Sequence, residues 1–173
     1  SGAGSDAGGV KTTAVQSKDH GQYVLSGEKI FVTNGGFADL FIVFAQLEGC
    51  GLTAFLVEKT FIGLNVGKEE HKMGIQGSST ATIVLNDVIV PAGNLLGEQG
   101  KGFKIALNIL NLGRFKLGAA SLGGGRLGLE QALKYSQERK QFGNKISGFG
   151  AIRHKLAQMV AKVYAMESVV YRT

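Results

Sequence analysis

Four short stretches carry residue types that bind or orient a ligand. Phe31-Val32-Thr33 closes an apolar run and precedes Asn34-Gly35, the dipeptide that most strongly signals a hairpin turn. An aromatic ring, a backbone edge and a hydroxyl therefore meet where the chain changes direction. That combination suits one wall of a cofactor site as well as it suits a plain turn. At the start, SGAGSDAGG (1–9) offers backbone N–H groups from Gly4 onward and the Ser5 hydroxyl to a closely approaching ligand. A loose terminal tail has the same composition. ERKQFG (138–143) joins the Arg139 guanidinium, suited to phosphate, to the Phe142 ring, suited to stacking on a planar group. The same residues would end a helix, with Arg139 and Lys140 complementing its dipole and Gly143 at the C′ position. In ILNLGRF (109–115), Asn111 and Arg114 lie one helical turn apart, facing either solvent or a cleft.

Other chemistries lack their residues. No Ser/His/Asp, Cys/His or paired-carboxylate arrangement occurs, and His20, His71 and His154 are far apart, with no Cys or acidic clustering at ligand spacings. The single Cys50 excludes an internal disulfide. GGGRLG (123–128) fits G-x-G-x-x-G through Gly123, Gly125 and Gly128, but it lies inside a helical stretch with no strand before it. Small residues that let two helices approach explain it better than a dinucleotide site.

The elements that must position these residues fall into two halves. QYVLSGEKIFVT (22–33), DLFIVFAQ (39–46), LTAFLVEK (52–59) and STATIVLNDVIVP (79–91) are short, β-branched and aromatic, with Gly, Asn and Asp between them. Residues 63–79 read as a weak strand and a long loop. Thr80, Thr82 and Val84 share one face, and Ala81, Ile83 and Leu85 the other. Strands without intervening helices predict an antiparallel barrel or sandwich. Pro91, the only proline, marks the boundary. Beyond it Phe103, Ala106, Leu107, Leu110 and Leu117 form a helical stripe, expected as core, in a helix running to about Glu138. Ile152, Leu156, Met159, Val163, Met166 and Val170 form a stricter heptad seam suited to an antiparallel bundle or to subunit packing. The expected class is α+β, with a β-domain over 1–97 and the start of a helical bundle over 98–173. Two helices cannot bury both their faces, so the chain reads as a piece of a larger protein or a protomer that needs partners.

Net charge divides along the same line. Residues 1–97 hold 6 Lys+Arg and 9 Asp+Glu (−3), and residues 98–173 hold 13 and 4 (+9). The basic residues of the second half are scattered and form no nucleic-acid module. No apolar run approaches the ~20 residues of a membrane span, and the start lacks the pattern of a signal peptide.

Taken in order, GSD (4–6), GEKIFVTNGGFADLFIVFA (27–45), TAFLVEK (53–59), KMGIQGSST (72–80), VIVPAGNLLGEQGKGF (88–103), GRF (113–115) and ALKYSQERKQFG (132–143) resemble the acyl-CoA dehydrogenase family across essentially the whole chain. FVTNGGFADLF with NILNLGRF is most similar to its very-long-chain branch. The resemblance implies a middle β-domain followed by the first helices of a C-terminal bundle. It implies FAD as cofactor and α,β-dehydrogenation of fatty acyl-CoA to trans-2-enoyl-CoA, within fatty acid β-oxidation. It also implies an electron-transferring flavoprotein as acceptor, a homodimer or tetramer, and a place in the bacterial cytoplasm or the mitochondrial matrix.

By the same resemblance, Gly4 and Ser5 line a loop against flavin, with Ser5 also near the thioester arm of the substrate. Phe31, Val32 and Thr33 flank the isoalloxazine, with the Thr33 hydroxyl near N5. Arg139, Gln141 and Phe142 reach the ADP half of a neighbouring subunit's FAD, and Asn111 and Arg114 lie along the acyl-CoA. Phe31 stands where many members carry Trp, and Gly150 where many carry Gln. The family's N-terminal helical domain and its base, a Glu, are expected outside these 173 residues, so no catalytic residue is assigned and the segment alone is expected to be inactive. An acyl-CoA oxidase, or a non-catalytic assembly module of the same fold, are the competing readings.

Overall fold

The computed structural model describes residues 3–4, 6 and 8–173, in two compact units that divide between Leu107 and Asn108. The first unit holds seven strands in one sheet: β1 (Thr13–Gln16), β2 (Gln22–Thr33), β3 (Leu40–Leu47), β4 (Gly51–Glu58), β5 (Leu64–Glu69), β6 (Thr80–Pro91) and β7 (Leu95–Leu96). Their order is β5-β6-β2-β1-β3-β4-β7. The four main strands read from the sequence all form, within one residue of the predicted ends. Every pair is antiparallel except β1 with β3, which run parallel. Sequence reading missed β1. Four residues carry too little alternation to signal a strand, and this one gains its stability from neighbours on both sides.

The sheet is curled. Tyr23 of β2 and Phe55 of β4 are three strand positions apart, roughly 14 Å if the sheet were flat, yet their ring centroids are 5.0 Å apart at an edge-on 62°. Inward residues of β2, β3, β4 and β6, among them Leu25, Val43, Phe55, Ile83 and Val88, bury into one core. Each such large side chain contributes about 1.5–3 kcal/mol on burial. The alternation predicted for residues 80–85 holds, with Ala81, Ile83 and Leu85 inward. A bulge at Asn86-Asp87, opposite Ser26, then resets the phase so that Val88 and Val90 also point inward.

The turn after β2 is real, but it does not make a hairpin. Gly35 N–H donates to Val32 O at 3.1 Å, with Asn34 at φ 64°. However, β2 and β3 do not pair, because β1 lies between them. An Asn-Gly signal reports the local backbone; which strands become neighbours is decided by the rest of the sheet.

The second unit takes in the greater part of α1 (Gly102–Glu138), a small hairpin of β8 (Lys140–Gln141) and β9 (Asn144–Lys145), and α2 (Gly150–Val170). Along α2, Ile152, Leu156, Met159, Val163, Met166 and Val170 are half-buried and, apart from Glu167, the remaining residues are exposed, as the heptad spacing predicts. The facing seam of α1 is Gly118, Leu122, Gly125, Leu129, Ala132 and Ser136, in the same 4-3-4-3-4 spacing. It was invisible to a hydrophobicity reading because four of its six members are Gly, Ala or Ser. A Cβ at Gly125 would lie 3.7 Å from Val163 and 3.8 Å from Met166, so small residues on α1 do accept large ones from α2. Gly123 and Gly128 have nothing within 4 Å of a built Cβ. Arg126 pairs with Glu167 between the two helices.

Two expectations fail here. The Phe103–Leu117 stripe is helical but is not core: Phe103, Leu107, Leu110 and Leu117 are 37–68% exposed. A periodic apolar face shows only that something must cover it. Gly143 is no helix C′ residue either. The helix ends at Glu138, and Arg139 and Lys140 lie beyond it.

Candidate functional site

Strand β2 is anchored on one side by β6, paired from Gln22↔Pro91 to Leu25↔Val88, from Gly27↔Leu85 to Lys29↔Ile83, and again at Val32↔Ala81 and Thr33↔Thr80. Between Lys29 and Val32 one extra residue is accommodated, a bulge that holds Ile30 and Phe31. Phe31 sits there at φ 55° with 64% of its surface exposed. A left-handed backbone at a bulky aromatic costs about 1–3 kcal/mol and persists only where the surroundings over-determine it. The bulge leaves this apolar ring exposed rather than packed in the core.

The surroundings are on both sides. After the bulge, Asn34 N–H donates to Ser79 O at 3.0 Å and Gly36 N–H to Ser79 Oγ at 3.0 Å, while Lys59 Nζ donates to Gly36 O at 3.1 Å. Ser79 Oγ in turn donates to Glu69 Oε1 at 2.5 Å, and Thr80 N–H to Glu69 Oε2 at 2.8 Å. Those two hydrogen bonds hold the Glu69 carboxyl below its usual range, the Ser79 hydroxyl having the larger effect. Thr33 is thus fixed at a clamped strand end, with its side chain exposed.

Before the bulge, β2 faces a gap. Strand β1 pairs with β2 only over Thr13–Gln16 and with β3 only at Gln46 and Leu47. Further along, Glu28–Val32 and Phe41–Phe44 border a groove of about 850 Å³, whose lining includes Gly4. Lys29 Nζ crosses this groove and donates to Phe44 O at 2.6 Å. Burial brings the Lys29 amine down from 10.5 to about 8. Sequence reading missed Lys29, since one lysine in a strand carries no signal of its own.

Of the predicted cofactor residues in this unit, Gly4, Phe31 and Val32 share the groove; Thr33 lies one residue past it, on the clamped turn. Ser5 lies outside the described residues. Asp6 holds the adjoining loop, accepting from Gly8 N–H at 3.2 Å through its side chain and from Gly9 N–H at 3.1 Å through its backbone.

The second unit presents its own group. Lys140↔Lys145 and Gln141↔Asn144 pair in a two-residue hairpin whose loop is Phe142-Gly143. Both loop residues have positive φ, 52° and 78°, the signature of a type I′ turn. Asn normally takes the first of these positions, and Phe there is strained. The Phe142 ring is 90% exposed and meets Phe149 edge-on, with centroids 6.3 Å apart. Gln141 and Arg139 flank it, both exposed. Arg126–Glu167 is the only ion pair among the described residues, which leaves the Arg139 guanidinium without a carboxylate there. Arg114 donates to Asn111 Oδ1 at 2.8 Å on the exposed surface of α1, confirming the predicted one-turn spacing. Among the described residues no group of three or more His, Cys, Asp or Glu could hold a metal, and no helix is long and apolar enough to cross a membrane.

The model of the acyl-CoA dehydrogenase middle domain matches residues 1–88, and that of the acyl-CoA dehydrogenase C-terminal domain matches residues 100–173. A probable acyl-CoA dehydrogenase of Bacillus subtilis is 50% identical over 172 residues, 99% of this chain and 29% of its own length. The crystal structure of a Bacillus anthracis acyl-CoA dehydrogenase complexed with FAD superposes with a TM-score of 0.88 at 51% identity, over 98% of this chain and 29% of that one. Butyryl-CoA dehydrogenase of Megasphaera elsdenii superposes at 0.89 with 45% identity, over 99% and 45%. The chain spans between about a third and a half of the length of such relatives. With both domain models matched in order and half its residues shared with such relatives, the chain belongs to the acyl-CoA dehydrogenase family.

Proposed function

We propose that residues 1–97 serve as the middle β-domain and residues 98–173 as the start of the helical domain of an FAD-dependent enzyme that oxidises fatty acyl-CoA thioesters to trans-2-enoyl-CoA. One observation carries this reading. The two aromatic residues expected to meet FAD, Phe31 and Phe142, are both exposed and both strained into left-handed backbone.

The donor set fits the cofactor. Phe31 and Val32 give an isoalloxazine an apolar wall, and the Thr33 hydroxyl at the clamped strand end is a donor for its N5 edge. Backbone near Gly4 and the Ser5 hydroxyl are donors for the flavin and the thioester arm. Arg139 and Gln141 are suited to the diphosphate, and Phe142 to stacking in the ADP half of a neighbouring subunit's FAD, in a homodimer or tetramer. Asn111 and Arg114 offer an amide and a guanidinium to the acyl-CoA. FAD, when bound, would supply a hydride acceptor for the β-hydrogen, with an electron-transferring flavoprotein as the onward electron acceptor. The residues named here bind and orient; removal of the α-proton is assigned to none of them.

Titration of the purified protein with FAD, followed by flavin absorbance, tests the reading. A saturable spectral shift is expected, with Phe31→Ala weakening binding about tenfold, equivalent to about 1.4 kcal/mol. No shift at any FAD concentration, or an unchanged titration in Phe31→Ala, would overturn it.

A further inference from the structure

We propose that Lys29 is a positioning residue, which sets the angle of the Phe31 ring by tying β2 to β3 across the gap beyond the end of β1. The proposal rests on the flavin reading of Phe31 and extends it to a residue outside the predicted set of cofactor contacts.

A strained bulge must be held at both ends. Its downstream end is held by Ser79 and Lys59 on the 32–38 turn. Lys29 is the last residue in regular register before the bulge, and β6 holds only one edge of it. On its other edge β1 has already ended, and the single cross-strand bond described there is Lys29 Nζ to Phe44 O at 2.6 Å. Without that bond, Glu28–Phe31 would be free to pivot about β6, and the bulge would have a fixed end and a loose one.

Stability is a poor explanation for this lysine. A partly buried amine in a groove bordered by Ile30, Phe41 and Ile42 is disfavoured by desolvation, and an apolar residue of similar length would fill the same space. The other charged side chains along the groove are Lys11 and Glu28, both exposed. The bond from β2 to β3 is what an apolar replacement cannot supply.

The test compares wild type, Lys29→Met and Lys29→Arg in the protein reconstituted with FAD. Lys29→Met is expected to keep its melting temperature. Its amide exchange at residues 30–32 should rise at least tenfold while β6 amides stay unchanged, and the flavin circular dichroism band, which reports a fixed ring environment, should lose most of its amplitude. Lys29→Arg, which can still donate across the gap, is expected to restore a large part of both. Unchanged exchange in Lys29→Met, global unfolding of that variant, or no rescue by arginine would each overturn the proposal. If all three proteins give equal flavin signals, Lys29 is not a positioning residue and the flavin reading stands. If none gives a flavin signal but the exchange contrast remains, the tie stands and the flavin reading falls.

Discussion

Thr33 and Phe142 show what single residues do in this fold. Thr33→Val is expected to leave the melting temperature unchanged, since the side chain is exposed, and to shift the bound flavin spectrum. A loss of stability with no spectral change would mean that the hydroxyl only supports the turn. Phe142→Asn makes the opposite trade. Asn tolerates the left-handed backbone of a type I′ turn, so the variant should gain about 1 kcal/mol of stability in thermal melts while FAD affinity falls. Residue types at this scale were legible in the sequence: Phe31, Thr33, Arg139 and Phe142 were singled out by chemistry and by resemblance. Their backbone strain was not, because φ at a bulge depends on the partner strand. The Phe31 bulge is defined only against Ile83 and Ala81 of β6.

At the scale of elements, period was a better guide than partner. The heptad of α2 identifies its inward residues, whereas the apolar stripe at the start of α1, expected as core, is exposed. A face with apolar period says that it will be covered; it does not say by what. The α1 seam has no apolar period, since Gly118 and Gly125 face α2 without an apolar signal; only the reading of 123–128 as small residues for helix approach points to it, and it holds at Gly125. Gly125→Leu should therefore destabilise the protein by about 1–3 kcal/mol through overpacking against Val163 and Met166, as measured by denaturant unfolding. Gly128→Ala, with nothing near its Cβ, should instead stabilise by up to about 1 kcal/mol from helix propensity. Equal effects at the two sites would contradict the packing described.

For the whole molecule, pH separates the charge on Lys29 from its neighbours. Its amine titrates at about 8 in the folded protein and 10.5 as its ordinary value. Between these the unfolded chain binds the proton and the native state does not, so this group makes stability rise with pH across that interval. Measured from pH 7 to 10.5, the unfolding free energy of wild type should rise relative to that of Lys29→Met; parallel curves would show that the amine is not desolvated. The curled sheet also has a consequence in time. Its β3–β4 hairpin closes through three residues, Glu48–Cys50, whereas β2 and β6 join Gln22–Thr33 to Thr80–Pro91. Loop-closure entropy must be met before those distant partners reward it, so the hairpin is expected to form early and the β2–β6 ladder late. Substitutions at Val43 should then slow refolding, and substitutions at Ile83 should mainly speed unfolding. The bulge that carries Phe31 belongs to that late ladder, which makes this exposed ring one of the last parts of the chain to take shape.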